Sequence, residues 1–121
     1  MGYTYYGEFM RVLRVKAHEV MGDTAKLLGV RLPFVSAVES GKRNVPEEWV
    51  PIIIEHYHLD VQQQEELKTA IELSKTQMKL NLTAATNPQR KLAVQFQRSF
   101  DSLDDDTAQE ILKILNKEEV N

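Results

Sequence analysis

The sequence predicts an all-α protein of 121 residues, with five helices followed by one short strand and two further helices. Apolar residues recur at helical spacing along most of the chain, whereas alternation of apolar and polar residues is confined to one stretch. Glycines and prolines stand where these periodic segments would end or begin. The composition, 42% hydrophobic and 27% charged, is ordinary for a globular domain.

Three helices are predicted in the first 40 residues. The first covers residues 5–16, and the second covers 20–28 and ends at Gly29, which suits a left-handed cap. The third begins at Pro33, because the missing N–H of proline costs nothing in a first helical turn. Gly41 is its expected cap.

The fourth and fifth helices follow a basic loop. The fourth is expected to start near Pro46, and Pro51 then leaves two alternatives: either this helix kinks, or its regular part begins only at Pro51. The fifth covers residues 60–74, where Asp60 and Gln63 have the spacing of a capping box.

Residues 75–82 carry a different pattern, because Met78, Leu80 and Leu82 alternate with polar residues. Such alternation predicts a short strand, and a single strand requires a partner for its backbone. No second convincing strand is predicted. The simplest partner is therefore the same strand of a second copy, paired across a two-fold axis.

Two helices complete the chain, one from Asn87 to about Phe100 and one capped by Asp104. The predicted division is a domain at residues 1–74 and a dimerisation segment at 75–121. The apolar residues expected in the dimer interface are Met78, Leu80, Leu82, Phe96, Ile111 and Leu115.

Charge is distributed unevenly along the chain. The net charge is −3, yet the first 43 residues contain seven lysines and arginines against four acidic residues. Acidic residues gather later, for example at residues 104–106. A basic N-terminal part and an acidic C-terminal part suit a nucleic-acid-facing end and a partner-facing end.

The most informative stretch is residues 21–43. Ala25, Gly29, a run of apolar positions and a final Glu39-x-Gly41-Lys42-Arg43 stand in a fixed register. This stretch resembles the helix-turn-helix of the lambda-repressor/Cro-type (XRE) regulators, and the resemblance covers about residues 9–59.

The resemblance implies a five-helix lambda-repressor-like domain whose third helix lies in the major groove of double-stranded DNA. By position it implies DNA contacts for Met21, Arg31, Leu32, Pro33, Ser36, Ala37, Ser40, Lys42, Arg43 and Asn44. Lys42, Arg43 and Asn44 are the implied phosphate contacts. It also implies that Arg14 pairs with Glu39 and ties the first helix to the third.

The chain departs from the family at the base-reading positions. Met21, Leu32, Pro33 and Ala37 cannot form bidentate hydrogen bonds with bases. Contacts with thymine methyl groups, the polar residues Arg31, Ser36 and Ser40, DNA shape and dimer spacing remain as sources of specificity.

The C-terminal part resembles the tails of repressor-like proteins from prophages and integrative elements. The expected function is therefore a homodimeric regulator, by default a repressor, acting on an inverted-repeat operator. The alternative is a protein-interaction module, such as an antitoxin or an antirepressor partner, which acts through the apolar helix surface around Leu32.

Other classes of function find little support. No nucleophile–base pair, phosphate loop or metal-ligand set is apparent, so the sequence predicts no enzyme, no cofactor and no metal site. His56 and His58 stand two residues apart and point to different sides of a helix. The chain has no cysteine, no apolar run of membrane-spanning length and no secretion signal at its start, which predicts a cytoplasmic protein.

Overall fold

The structure, a computed structural model, describes the backbone of residues 3–120 and the side chains of residues 3–117. Met1, Gly2 and Asn121 lie outside the described residues. Within that range every regular element is helical, which confirms the all-α prediction. The elements are α1 (Tyr5–Ala17), α2 (Met21–Leu28), α3 (Leu32–Glu39), α4 (Trp49–His56), α5 (Val61–Leu73), α6 (Asn87–Ser99), a 3₁₀ turn (Phe100–Ser102) and α7 (Asp105–Val120).

Helix boundaries follow local capping chemistry. The Asp60 carboxylate accepts from the Gln63 N–H at 2.8 Å, and the Gln63 side chain accepts from the Asp60 N–H at 2.9 Å. This is the predicted capping box. Asp104 caps α7 by accepting from the Thr107 N–H at 2.7 Å, and this bond lowers the pKa of the Asp104 carboxyl. Gly29 and Gly41 both have positive φ, 69° and 88°, as expected of helix-ending glycines.

Neither of the two boundaries expected for the fourth helix is observed. Helix α4 begins at Trp49, so Pro51 is its third residue. The N–H groups of a first helical turn have no partner within the helix, and proline is tolerated there without a kink.

The chain divides into two compact units, Met1–Met78 and Lys79–Asn121. The first unit holds α1 to α5 around a single apolar core. The buried members of that core are Tyr6, Met10, Leu28, Val38, Trp49, Ile53, Leu59 and Leu67.

The second unit, with α6, the 3₁₀ turn and α7, has no such core. None of its side chains in residues 79–117 is buried, and eight large apolar side chains are exposed. Leu80, Ile114 and Leu92 are exposed to 71%, 70% and 65%. A unit of this size that buries none of its described side chains gains little hydrophobic stabilisation from its own contacts.

The predicted strand over residues 75–82 is wrong for the protomer. Residues 75–86 have neither helix nor strand, and no other strand in the described chain is available to pair with them. The Leu82 carbonyl instead accepts from the Arg90 guanidinium at 2.7 Å, which holds this segment against the start of α6. Alternation of apolar and polar residues indicates which side chains would lie on the same face of an extended segment. It does not provide a second strand to pair with the backbone N–H and C=O groups of that segment.

No helix of residues 3–120 combines the length and the apolar character needed to cross a membrane.

Tyr6 supplies a test of the first unit's core. Its side chain is fully buried, and its hydroxyl finds no hydrogen-bond partner among the described residues. Burial and the nearby Glu39 carboxylate raise the pKa of Tyr6, so the hydroxyl stays protonated. Since an unsatisfied buried hydroxyl costs about 1–3 kcal/mol, we expect Tyr6→Phe to raise the free energy of unfolding by about 1 kcal/mol. Urea denaturation measures this, and a loss of stability would contradict it.

Candidate nucleic-acid interface

Helix α3 separates its residues cleanly into a buried and an exposed face. Val35, Val38 and Glu39 are buried, and Phe34 is half-buried. The residues predicted to face DNA share the opposite side, over an arc of about 140° at 3.6 residues per turn. Leu32, Pro33 and Ser36 are exposed, and Ala37 and Ser40 are half-exposed. The helix therefore presents its candidate contact residues as one continuous strip.

The buried face of α3 is fixed by an ion pair with α1. Arg14 donates to both carboxylate oxygens of Glu39 at 2.7 Å, and its Nη1 also donates to the Thr24 hydroxyl at 3.2 Å. Arg14 is 5% exposed and Glu39 is fully buried. The hydrogen bonds with Glu39 raise the pKa of Arg14 despite its burial. This is the pair that the family resemblance implies, and it orients α3 on the body of the unit.

A second anchor, which sequence reasoning missed, holds the C-terminal end of α3. The Glu39 carbonyl accepts from both the N–H and the hydroxyl of Thr4, at 3.0 and 2.9 Å. Gly7 lies so close to this carbonyl that a Cβ at residue 7 would collide with it. Residue 7 must therefore be small, because the end of α3 packs against α1 at this point. No local sequence pattern indicates that residue 39 is the one that contacts it.

Cationic side chains lie at both ends of α3. Arg31 precedes the helix, Lys42 and Arg43 follow it, and all three are exposed. The Lys42 N–H donates to the Ala37 carbonyl at 2.9 Å, which closes the turn around Gly41 and fixes the backbone from which these side chains extend.

Arg43 is further positioned by aromatic stacking. Its guanidinium lies 5.4 Å from the centre of the Phe34 ring, within cation–π range. Phe34 in turn meets the buried Trp49 edge-on, with 5.5 Å between ring centres. The arginine thus rests on a ring that is itself held by the core.

The remaining predicted contacts differ in their surroundings. Asn44 is exposed, and its side-chain oxygen accepts weakly from the N–H and hydroxyl of Thr76, at 3.3 and 3.4 Å. Met21 is half-exposed at the start of α2, next to Val20, which is 68% exposed. The first unit therefore shows apolar surface at the start of α2.

A polar cluster that sequence reasoning also missed joins the approach to α2 with α4. Glu19 accepts from the Tyr57 hydroxyl at 2.5 Å and contacts the His56 ring at 2.9 Å. The Tyr57 hydrogen bond, followed by that of His56, lowers the pKa of Glu19. Burial and the Glu19 carboxylate raise the pKa of Tyr57. The cluster fixes the entry to α2, and residues 37 positions apart cannot be paired from spacing alone.

The second unit carries a separate apolar surface. A groove of about 880 Å³ between α6 and α7 is lined by five of the six residues expected in the dimer interface: Leu80, Leu82, Phe96, Ile111 and Leu115. Met78 ends the first unit and does not line the groove. Leu92 and Ile114, which were not among the residues expected in the dimer interface, also line it.

Comparison with protein-family models, with curated proteins and with solved structures gives no match.

Proposed function

We propose that this chain is a sequence-specific, double-stranded-DNA-binding transcription regulator of the lambda-repressor/Cro helix-turn-helix type. On this proposal α3 lies in the major groove, and the protein blocks a promoter as a cytoplasmic homodimer bound to an inverted repeat. The observation that carries the proposal is the exposed strip of α3, which is bordered at both ends by exposed cations.

The sign of the surface charge supports this assignment. Residues 21–44 contain four cations, Lys26, Arg31, Lys42 and Arg43, and two acids, Asp23 and Glu39. Glu39 is withdrawn into the fold and neutralised by Arg14. The exposed charge of this segment is therefore four positive groups against one negative group, although the whole chain is acidic. Local positive charge is what phosphate contacts require.

The coreless second unit supports the homodimeric part of the proposal. Five of its eight exposed large apolar side chains line one groove, and a second copy of the chain presents the same groove. In a two-fold dimer the same apolar surface of each copy would meet its counterpart, so each copy would cover residues that the other leaves exposed. A dimer bound through this unit would present two α3 helices to two half-sites.

Removing the phosphate contacts tests the proposal. We expect Lys42→Ala combined with Arg43→Ala to weaken binding to all duplex sequences. The slope of log affinity against log salt should become shallower by about 1.8 for each bound protomer, because two phosphate contacts are lost. Fluorescence anisotropy across a salt titration, with random duplex and with DNA from upstream of the gene, measures both.

The matched control is Lys16→Ala combined with Lys68→Ala. It removes two exposed cations from α1 and α5 and should leave the slope nearly unchanged. Equal slopes for the wild type and for Lys42→Ala/Arg43→Ala would refute the phosphate contacts. Weak binding of the wild type to both DNAs would refute the proposed function itself.

A second candidate, a protein-interaction module, is favoured by one observation. Val20 is 68% exposed and Leu32 is 47% exposed, so the start of α2 and the start of α3 both offer apolar surface. An antitoxin or an antirepressor partner would use this surface for a protein. On this alternative, Leu32→Gln abolishes binding to the partner protein and leaves DNA affinity unchanged.

A further inference from the structure

The exposed strip of α3 is unusual in its chemistry. Leu32, Pro33 and Ala37 are apolar, and only the hydroxyls of Ser36 and Ser40 are polar. The Ser40 hydroxyl already donates to the Ala37 carbonyl at 3.3 Å. No side chain of the strip ends in an amide, a guanidinium or a carboxylate, the groups that make bidentate contacts with purines or accept from cytosine.

An apolar strip can still discriminate bases in the major groove. The C5-methyl of thymine is the apolar group that a base pair presents there, and apolar side chains recognise it by contact. Leu32 and Pro33 occupy the first turn of α3, and the N-terminal residues of such a helix meet the base edges. Leu32 keeps 47% of its surface exposed, so it has area left to bury.

The neighbouring charges favour DNA as the occupant of this apolar surface. Arg31 directly precedes Leu32, and Lys42 and Arg43 lie beyond the other end of the helix. Phosphate contacts on both sides would hold the strip against the groove floor, because duplex DNA presents a phosphate backbone along each side of the major groove.

We propose that Leu32 and Pro33 read thymine methyl groups, so that each half-site carries thymine at the base pairs beneath the first turn of α3. This inference rests on the proposed function, since it requires α3 to lie in the major groove. It goes further by naming the base, the atom that is recognised and the two residues that recognise it.

Deoxyuridine provides the decisive probe, because it pairs like thymidine and lacks only the methyl group. The full-length protein is first used to select its preferred duplex from a random pool. Each thymidine of the selected half-site is then replaced by deoxyuridine in turn. We expect one or two positions per half-site at which affinity falls about fourfold, the factor that corresponds to burying one methyl-sized group.

A variant ties this effect to the residue. Because alanine reaches less far than leucine, Leu32→Ala should reduce the loss caused by deoxyuridine at the base pair that Leu32 contacts, leave the contribution of Pro33 in place and keep the wild-type salt slope. Val12→Ala alters an apolar side chain of α1 that is similarly exposed, at 49%, and should keep the discrimination.

The outcomes separate the two levels of the proposal. Specific, salt-sensitive binding without any deoxyuridine effect, or with an undiminished deoxyuridine effect at every position in Leu32→Ala, overturns the methyl readout by Leu32 and leaves the proposed function standing. Absence of salt-sensitive DNA binding overturns both.

Discussion

Replacing Phe96 with Asp is expected to convert the proposed homodimer into a monomer. Phe96 lines the apolar groove of the second unit and packs its ring 5.5 Å from that of Phe100. Fully burying such a side chain contributes about 1.5–3 kcal/mol, and the 42% of Phe96 that is exposed in the protomer is left to bury. A two-fold interface contains the residue twice, so this lost burial alone should raise the dimer dissociation constant by roughly 10–10²-fold. Sedimentation velocity at several protein concentrations measures this directly.

DNA binding should fall together with the dimer. Two linked protomers engage two half-sites with a high effective concentration, and separate protomers lose that advantage. We therefore expect Phe96→Asp to lower the affinity for a full inverted repeat by roughly 10²-fold and to leave the affinity for a single half-site nearly unchanged.

Val94→Asp is a closely matched control for this substitution. Val94 and Phe96 lie on the same helix and are both 42% exposed, but Val94 does not line the groove. The control should remain dimeric. If Phe96→Asp also stays dimeric, the groove is not the dimer interface.

Removing Arg14 is expected to have the largest effect on the stability of the first unit. Arg14→Met leaves the Glu39 carboxylate fully buried without its two hydrogen bonds from the guanidinium. Breaking a buried pair in this way costs about 3–5 kcal/mol, a large part of the stability of a small domain. Urea denaturation followed by circular dichroism gives the change.

The paired substitution decides how this loss is interpreted. Arg14→Met with Glu39→Met removes both charges and should recover most of the lost stability, since apolar replacement of a buried pair is often close to neutral. Arg11→Met changes an exposed arginine of the same helix and should shift stability by less than about 1 kcal/mol. If the double variant is no more stable than Arg14→Met, an unpaired Glu39 charge is not the cause.

Features that depend on residues close together in the sequence were predicted correctly from local patterns, and features that depend on distant residues were not. Helix caps at Asp60, Gly29 and Asp104 were predictable because each depends on atoms within a few residues. The start of α4 near Pro51 was predicted less well, because it depends on the packing of Trp49, the first residue of the helix, in the core. The strand prediction failed because a strand requires a partner from outside its own segment.

The same distinction holds at the candidate interface. The DNA-facing positions Leu32, Pro33 and Ser36 came from the family resemblance, and all three lie on the exposed face of α3, opposite its buried positions. The Arg14–Glu39 pair came from resemblance, since a spacing of 25 residues carries no geometric information. The contacts of Thr4 and Gly7 with Glu39, and of Tyr57 with Glu19, arise only when distant helices pack.

The lack of a core in the second unit makes the behaviour of this protein depend on its concentration in the cell. If the same side chains serve as both the core of that unit and the contact with a second copy, its folding is a bimolecular event. Its stability then rises with the logarithm of protomer concentration. Dilute protomers would keep this unit open to proteases, and abundant ones would be protected. Occupancy of a two-half-site operator would grow with roughly the square of abundance at low levels, giving a threshold that requires no small-molecule signal.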